Sequence, residues 1–244
     1  MKIAIDREIA TAEEIEMNKC KEFYSKYRHA LPLIVYGVIY WIWFWHLEQT
    51  VTGHYQVIHM NIDDSIPFCE LFVIPYFMWF AYVSAAVLYQ FFTDKTEYYK
   101  TCMFLFTGMT VFLIVSTLWP NGHHLRLSAM PRDNIFTRMV ASLWQTDTPT
   151  NLWPSIHVYN SLGAHFAITH NPKLADKKGI KIASLALACS IILSTVFIKQ
   201  HSVFDVLTAF CMAAVMYAVV YRLDVVTAVR AAWARKKIKP QIIH

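Results

Sequence analysis

Three short clusters of ionisable and polar side chains interrupt a sequence that is otherwise strongly apolar. They occupy residues 120–126, 154–157 and 199–205, and each lies at the end of a long apolar stretch. Their histidines, carboxylate, hydroxyls and cations can supply nucleophilic, acid–base and anion-binding chemistry. Because all three would lie at one depth and on one side of a membrane, we expect them to converge on one site.

His201 and Asp205 form the pair with the clearest chemical meaning. They are four residues apart at the predicted start of a helix, and residues at this spacing share one helix face. A carboxylate bonded to one ring nitrogen fixes the imidazole tautomer and leaves the other nitrogen as a nucleophile or base. The same spacing also suits a structural pair at a helix entrance, so the pair alone leaves both interpretations open.

The 154–157 cluster, Pro-Ser-Ile-His, resembles a helix N-terminus that binds anions. Pro154 loses no hydrogen bond at the start of a helix, and the free amides there attract anions. Ser155 adds a hydroxyl donor and His157 a titratable group, although an ordinary cap with a surface histidine is the alternative. Arg126 suits bidentate phosphate binding, and Lys199 is a second candidate cation. Either long side chain can instead extend to the membrane interface.

The elements that must position these groups are membrane helices. Of the 244 residues, 56% are hydrophobic and 15% aromatic, with a mean hydropathy of +0.35. Crossing about 30 Å of hydrocarbon takes about 20 apolar residues. The sequence therefore predicts an all-α integral membrane six-helix bundle, with polar residues of the fourth segment facing the bundle interior. The six segments are 31–47, 68–92, 101–119, 153–169, 180–198 and 203–221.

Flanking regions and orientation follow from charge. We predict an N-terminal amphipathic helix at the interface over 1–29, a membrane domain over 30–222 and a basic tail over 223–244. Most Lys and Arg fall in segments that alternate onto one side, which predicts that both termini are cytoplasmic and that the three clusters face outward. The net charge of +5 then reflects contact of the cytoplasmic flanks with anionic membrane lipids, and we do not expect nucleic acid as a partner.

Metal and transport readings have little support in the sequence. The five cysteines are scattered through apolar runs without metal-ligand spacing, and the outer histidines have few carboxylates near them. We therefore expect no metal and no cofactor. No matching pair of Gly- or Pro-broken helices indicates a transporter.

Together these residues resemble the type 2 phosphatidic acid phosphatase (PAP2) superfamily, whose motifs are Lys-x6-Arg-Pro, Pro-Ser-Gly-His and Ser-Arg-x5-His-x3-Asp. Residues 154–157 match the second motif, with Ile156 in place of Gly. Ser194, His201 and Asp205 match the third at the right spacing, with Thr195 in place of Arg. Arg126 matches the Arg of the first, and the likeness extends over about residues 101–222.

The departures from the motifs leave the reaction open. Trp119 stands where the first motif has Lys, Leu127 where it has Pro, and Thr195 where the third has Arg. Lys199, one turn after Thr195, is a candidate replacement for that cation. Such losses resemble the branch of sphingomyelin and inositol phosphorylceramide synthases, which move a phospho-headgroup between lipids.

The resemblance implies a membrane enzyme, in the plasma membrane, that acts on a lipid phosphate at the outer face. It implies His201 as the nucleophile, Asp205 as its partner and His157 as the general acid. Phosphate binding falls to Arg126, Lys199, Ser155 and Ile156 at the start of the fourth helix; the secondary candidates are Asn121, His124 and Ser194. The alternatives are a lipid phosphatase, a lipid phosphotransferase and a non-catalytic protein with the same fold, and the oligomeric state stays open.

Overall fold

The computed structural model describes residues 17–51 and 53–238. Contacts divide the chain into two units that meet between Ile39 and Tyr40. The second unit begins at Tyr40. It contains the three polar clusters.

The described residues are almost entirely helical. Two short strands, β1 (Gln56–Val57) and β2 (Asn121–Gly122), pair in parallel. The helices are residues 17–27 (α1), Leu31–Thr50 (α2), Asn61–Ser65 (α3), Val73–Thr93 (α4), Lys95–Leu118 (α5), Ile135–Thr146 (α6), Ile156–His170 (α7), Lys178–Phe197 (α8), Val203–Tyr217 (α9) and Val225–Ile238 (α10). Short 3-10 turns at Arg28–Ala30, Glu70–Phe72 and Pro172–Leu174 and a π-helical turn at Ala218–Arg222 complete them.

Five helical segments are long and apolar enough to cross a membrane, which confirms the all-α membrane class. They are Met17–Thr50, Glu70–Thr93, Lys95–Leu118, Lys178–Phe197 and Val203–Arg222. The fourth predicted segment is different, because α7 has only 15 residues. At 1.5 Å per residue it is roughly 22 Å long, which is less than the hydrocarbon thickness.

Helix α7 lies among other helices. It packs against α4, α5, α8 and α9, and its Asn160 and Ser161 side chains are buried, which confirms that the polar residues of this segment face the interior. The Tyr159 ring stacks on Phe104 with centroids 4.6 Å apart. A Cβ at Gly108 would overlap the Tyr159 ring, so glycine there permits the close approach of α5 and α7.

Helix α6 lies inside the long connection 120–152, where the sequence analysis placed no helix. The side chain of Asn134 caps it by accepting hydrogen bonds from the amides of Phe136 and Thr137, both at 2.9 Å. Its Val140 packs with Tyr76 and Ile198 in one apolar cluster. A 12-residue helix is too short to stand out in a hydropathy profile, and packing against α4 and the end of α8 stabilises it.

The predicted flanks fall partly outside the described residues. Of the N-terminal region 1–29, residues 17–27 are helical, and residues 1–16 are not described. The predicted basic tail, 223–244, contains α10 over Val225–Ile238. These divisions stay predictions.

Candidate active site

The second and third clusters meet at the N-termini of α7 and α9. The His157 and His201 rings lie 5.6 Å apart between centroids. His201 Nδ1 lies 3.3 Å from Asp205 Oδ2, and both side chains are buried. Two imidazoles and a carboxylate from separate helix entrances are therefore in contact range, as phosphoryl transfer through a histidine would require.

The start of α9 explains why His201 and Asp205 face each other. Ser202 is the N-cap, and Asp205 Oδ2 accepts the Ser202 amide at 3.0 Å in a capping box. The same oxygen is the one that faces His201, while Asp205 Oδ1 is buried and has no hydrogen-bond partner in the described structure. The carboxylate therefore caps the helix and orients the imidazole together, so the structural and the catalytic interpretations of this pair are compatible.

A carboxylate of the short helix α3 also holds this helix entrance. Asp63 accepts hydrogen bonds from Ser202 Oγ at 2.6 Å and from the Val203 amide at 2.8 Å. Its other short contact is with the Met60 amide at 2.8 Å, which closes its own turn. Asp63 thus ties the 60–66 segment to the helix that carries Asp205.

Burial keeps the His201 imidazole neutral. Desolvation, together with the charge of Arg126, lowers the pKa of His201 to about 3. A neutral ring whose Nδ1–H donates to Asp205 keeps a lone pair on Nε2, which is the form a nucleophile needs.

His157 lies between two aromatic rings and borders a cavity. Its ring centroid is 4.5 Å from that of Tyr76 and 4.5 Å from that of Trp79. Its Nδ1 is buried with no hydrogen-bond partner among the described residues. His157 and Ile156 line a cavity of about 660 Å³ between α2, α4, α5, α6 and α7, and His201 is not part of its lining.

Ser155 and Asn121 organise the backbone in front of α7. Ser155 is the N-cap, and its Oγ accepts the Val158 amide at 3.4 Å. Asn121 Oδ1 accepts the amides of Leu152 and Trp153, both at 2.9 Å. Both polar side chains are therefore already engaged with protein backbone.

Arg126 comes close to the site, but its guanidinium is bonded to protein acceptors. Nη1 donates to Trp144 O at 2.8 Å, and Nη2 donates to Asp147 O at 2.8 Å, Thr148 O at 3.2 Å and Gln200 Oε1 at 2.7 Å. The three backbone carbonyls belong to the end of α6 and the loop after it, where a cation is favoured. Burial lowers the pKa of Arg126 from its usual value.

Lys199 is likewise engaged with carbonyl groups. Its Nζ donates to Asp63 O at 2.9 Å and to Ile66 O at 2.6 Å. Its backbone has a φ of 56°, in the left-handed region that favours glycine after a helix. The side chain explains why lysine occupies this strained position. It holds the 60–66 segment through two hydrogen bonds that glycine could not make.

The side chains of the remaining predicted residues make their contacts elsewhere. His124 is exposed and borders a different cavity, beside His59 and Asp64. Ser194 Oγ donates to Ile191 O at 2.6 Å inside α8. Thr195, which replaces the motif arginine, donates its hydroxyl to Ile192 O at 2.8 Å.

Four residues of this region were not assigned a role from the sequence. Gln200 Nε2 donates to Asp147 Oδ2 at 3.0 Å, and Tyr76 OH lies 3.5 Å from the same oxygen. His123 Nε2 donates to Gln200 O at 3.0 Å, and burial lowers the pKa of His123 to about 3. Gln200 and His123 lie within two of the polar clusters seen in the sequence, whereas Tyr76 and Asp147 are brought in by tertiary contacts.

No group of three or more His, Cys, Asp or Glu side chains in the described part of the chain has the arrangement of a metal site. The expectation of a metal-independent reaction stays a prediction.

Comparison with known proteins gives one match, to a part of the chain. A profile of the PAP2 superfamily matches residues 131–226. This range contains the second and third motifs and begins after Arg126, so the predicted PAP2 resemblance is confirmed there. Members of this superfamily are phosphatases or phosphotransferases. No curated protein and no solved structure matches the chain.

Proposed function

We propose that this protein is a membrane lipid phosphoesterase that forms a phospho-histidine intermediate on His201. The observation that carries the proposal is the contact of His157, His201 and Asp205 at two helix N-termini within the PAP2-matched segment. The neutral state of His201 supports it, because a protonated imidazole has no lone pair with which to attack phosphorus.

The reaction has two balanced steps. In the first, His201 Nε2 forms a bond to phosphorus, the bond from phosphorus to the leaving oxygen breaks, and His157 gives that oxygen a proton. In the second, His157 takes a proton from water, the water oxygen bonds to phosphorus, and the bond to His201 breaks. Asp205 stabilises the positive charge on His201 in between. General acid–base catalysis of this kind contributes about 10²–10⁴ in rate.

Transfer to a lipid alcohol is the second candidate function. It is favoured by the cations, because Arg126 and Lys199 are bonded to carbonyl groups and Thr195 replaces the motif arginine. A phosphomonoester dianion needs more positive charge than the single charge of a phosphodiester. In this reaction an alcohol replaces water in the second step.

Trapping of the intermediate tests the proposal. Purified protein is given lipids labelled at phosphorus, comprising a phosphatidic acid, an isoprenyl diphosphate and zwitterionic and anionic phosphodiesters, and is then quenched. We expect a protein-bound label that survives base and is lost in acid. His201→Asn should abolish this label, and His157→Gln should slow its formation.

The matched control is His54→Gln, which changes an exposed histidine of an outer loop. It should label like the unaltered protein. Full turnover in His201→Asn would overturn the mechanism, and a new phospholipid in place of a water-soluble product would identify transfer. Turnover that EDTA abolishes and Zn²⁺ or Mg²⁺ restores would contradict the metal-independent scheme.

We further propose that both termini are cytoplasmic and that the site opens to the outer face, as the charge distribution predicts. Single cysteines placed at His54 and at Lys177 in a cysteine-free protein test this orientation. A membrane-impermeant maleimide should label the first in intact cells and the second only after lysis. The reverse pattern would contradict the proposed orientation.

A further inference from the structure

The two histidines of the candidate site are oriented by different means. His201 Nδ1 faces the Asp205 carboxylate at 3.3 Å. His157 Nδ1 is buried without a hydrogen-bond partner among the described residues, and the His157 ring lies between the rings of Tyr76 and Trp79. The Tyr76 ring is within 27° of parallel to the imidazole, whereas the Trp79 ring is tilted by 45°. A general acid must point at one oxygen, so the group that sets the Tyr76 ring also sets the direction of His157.

The hydroxyl end of Tyr76 meets the side chain of Gln200. The Tyr76 ring is buried and packs with Val140 and Ile198 in one apolar cluster. Its hydroxyl lies 3.4 Å from Gln200 Nε2 and 3.5 Å from Asp147 Oδ2, and both distances are long for a hydrogen bond. Apolar packing therefore holds the body of the ring, and the Gln200–Asp147 pair is the surface against which its hydroxyl end rests.

Shorter hydrogen bonds fix the Gln200 side chain. The residue is fully buried, its Nε2 donates to Asp147 Oδ2 at 3.0 Å, and its Oε1 accepts Arg126 Nη2 at 2.7 Å. Its backbone carbonyl accepts His123 Nε2 at 3.0 Å. Turning the amide over would set a donor against Arg126 and an acceptor against Asp147, so only one orientation satisfies both ends.

We propose that Gln200 is a positioning residue that couples the nucleophile to the general acid. It directly precedes His201 in the chain, and its amide supports the ring on which His157 stacks. The inference rests on the proposed phosphoesterase function. It predicts that Gln200 acts on protonation of the leaving group by His157, and not on the attack by His201.

The leaving group distinguishes positioning of His157 from general damage to the site. An alkoxide needs a proton as its bond to phosphorus breaks, whereas para-nitrophenoxide leaves without one. The rates of phospho-enzyme formation from dioctanoyl phosphatidic acid and para-nitrophenyl phosphate are compared, or from their methyl diesters if the unaltered protein turns over only diesters. Gln200→Met, which keeps the side-chain length and removes both polar ends, should slow alkoxide release about 10²-fold and leave para-nitrophenoxide release nearly unchanged. His157→Gln should give the same pattern.

Gln200→Glu tests the same hydrogen bonds by pH. Glutamate still accepts from Arg126, but it shares a hydrogen bond with Asp147 only when one of the two carboxyl groups is protonated. Burial, and then the charge of Glu48, raises the pKa of Asp147 to about 6 against the opposing charge of Arg126. A second carboxylate beside Asp147 would raise that pKa further. Relative to the unaltered protein, alkoxide release should therefore be slow at about pH 8 and recover toward about pH 5, while para-nitrophenoxide release stays level.

The position of the His157 imidazole is also measured without turnover. The two rings beside it shift its nuclear magnetic resonance signals, which are recorded in full-length protein with isotope-labelled histidine and assigned with His157→Gln and His201→Asn. In Gln200→Met the His157 signals should move more than those of His201, because Asp205 holds His201 independently. Gln145→Met is the matched control, because it changes an exposed glutamine of α6 and should match the unaltered protein in both measurements.

The outcomes separate this inference from the proposed function. Equal slowing with both esters in Gln200→Met, or His157 signals that stay in place, would overturn the positioning role. If Gln200→Met does not fold, Gln200→Glu at about pH 8 carries the same two comparisons. Absence of phospho-enzyme in the unaltered protein would contradict the phosphoesterase function, and the histidine signals would then decide by themselves whether Gln200 holds His157.

Discussion

The histidine side and the cation side of the candidate site differ in how they are held. His201 and Asp205 face each other because they are four residues apart at one helix entrance, and His157 starts the neighbouring helix. Arg126 and Lys199 are bonded to carbonyl groups of distant segments. The contacts of the first group are set by two helix starts, whereas the second group holds the backbone around it.

The difference follows from the reach of the side chains. A histidine or aspartate in a capped helix start has few rotamers and few partners, so sequence spacing largely fixes its neighbours. Arginine and lysine extend several ångströms and bind whichever oxygens the fold leaves unpaired, such as the carbonyls at the end of α6. A cation in a motif position is therefore weaker evidence for phosphate binding than an imidazole pair.

Asp205→Asn would break the histidine side with the largest effect. The amide can still cap Ser202 but cannot stabilise an imidazolium, so the rate of phospho-enzyme formation should fall about 10⁴-fold with little change in thermal stability. Rapid-quench labelling and a thermal unfolding curve measure both. A large loss of stability with normal labelling would instead assign Asp205 to capping alone.

Arg126→Gln tests the cation side. Removing a half-buried guanidinium that satisfies four acceptors should lower the free energy of unfolding by about 3–5 kcal/mol. Unfolding in detergent measures this change, and Arg138→Gln, at an exposed ion pair, should leave the stability unchanged. If Arg126→Gln unfolds normally and loses only substrate binding, Arg126 is a phosphate ligand after all.

Lys199→Met should have a smaller effect of the same kind. It removes the two hydrogen bonds to the 60–66 segment, which should cost about 1–3 kcal/mol. Lys199→Gly separates the backbone contribution, because glycine relieves the positive φ and should recover part of that loss. Greater stability of Lys199→Met than of Lys199→Gly would contradict this explanation.

Asp147→Asn should have the smallest effect and the opposite sign. Burial, and then the charge of Glu48, raises the pKa of Asp147 from 3.8 to about 6. The protonated form is thus favoured by folding, and its stabilising contribution is present below pH 3.8 and lost as the pH rises through 6. The free energy of unfolding of the variant should exceed that of the native protein by about 1–2 kcal/mol at pH 7.5. At pH 3.5 the two values should be equal. A stabilisation independent of pH would contradict the assigned pKa.

Helix α6 shows where sequence reasoning about the fold stopped. The sequence predicted six apolar membrane segments, and five helical segments of the described residues have membrane length. Helix α6 has only 12 residues, and it packs against α4 and against Ile198, just after α8. Its one local signal is the capping pair Asn134 and Thr137. Likewise, Asp63 and Asp147 carry no motif, and their roles depend on the loops that bring them to Ser202 and Gln200.

The sequence alone determined the membrane class and the helical fold, and it predicted that His157, His201 and Asp205 converge. Hydropathy and i, i+4 spacing are local properties of the chain, so they can be read without the tertiary structure. The tertiary structure decided which groups Arg126 and Lys199 bind, and it assembled the cavity beside His157 from residues of five helices. Those features depend on which backbone oxygens and ring faces meet after packing, and no periodicity in one chain records such distant pairings.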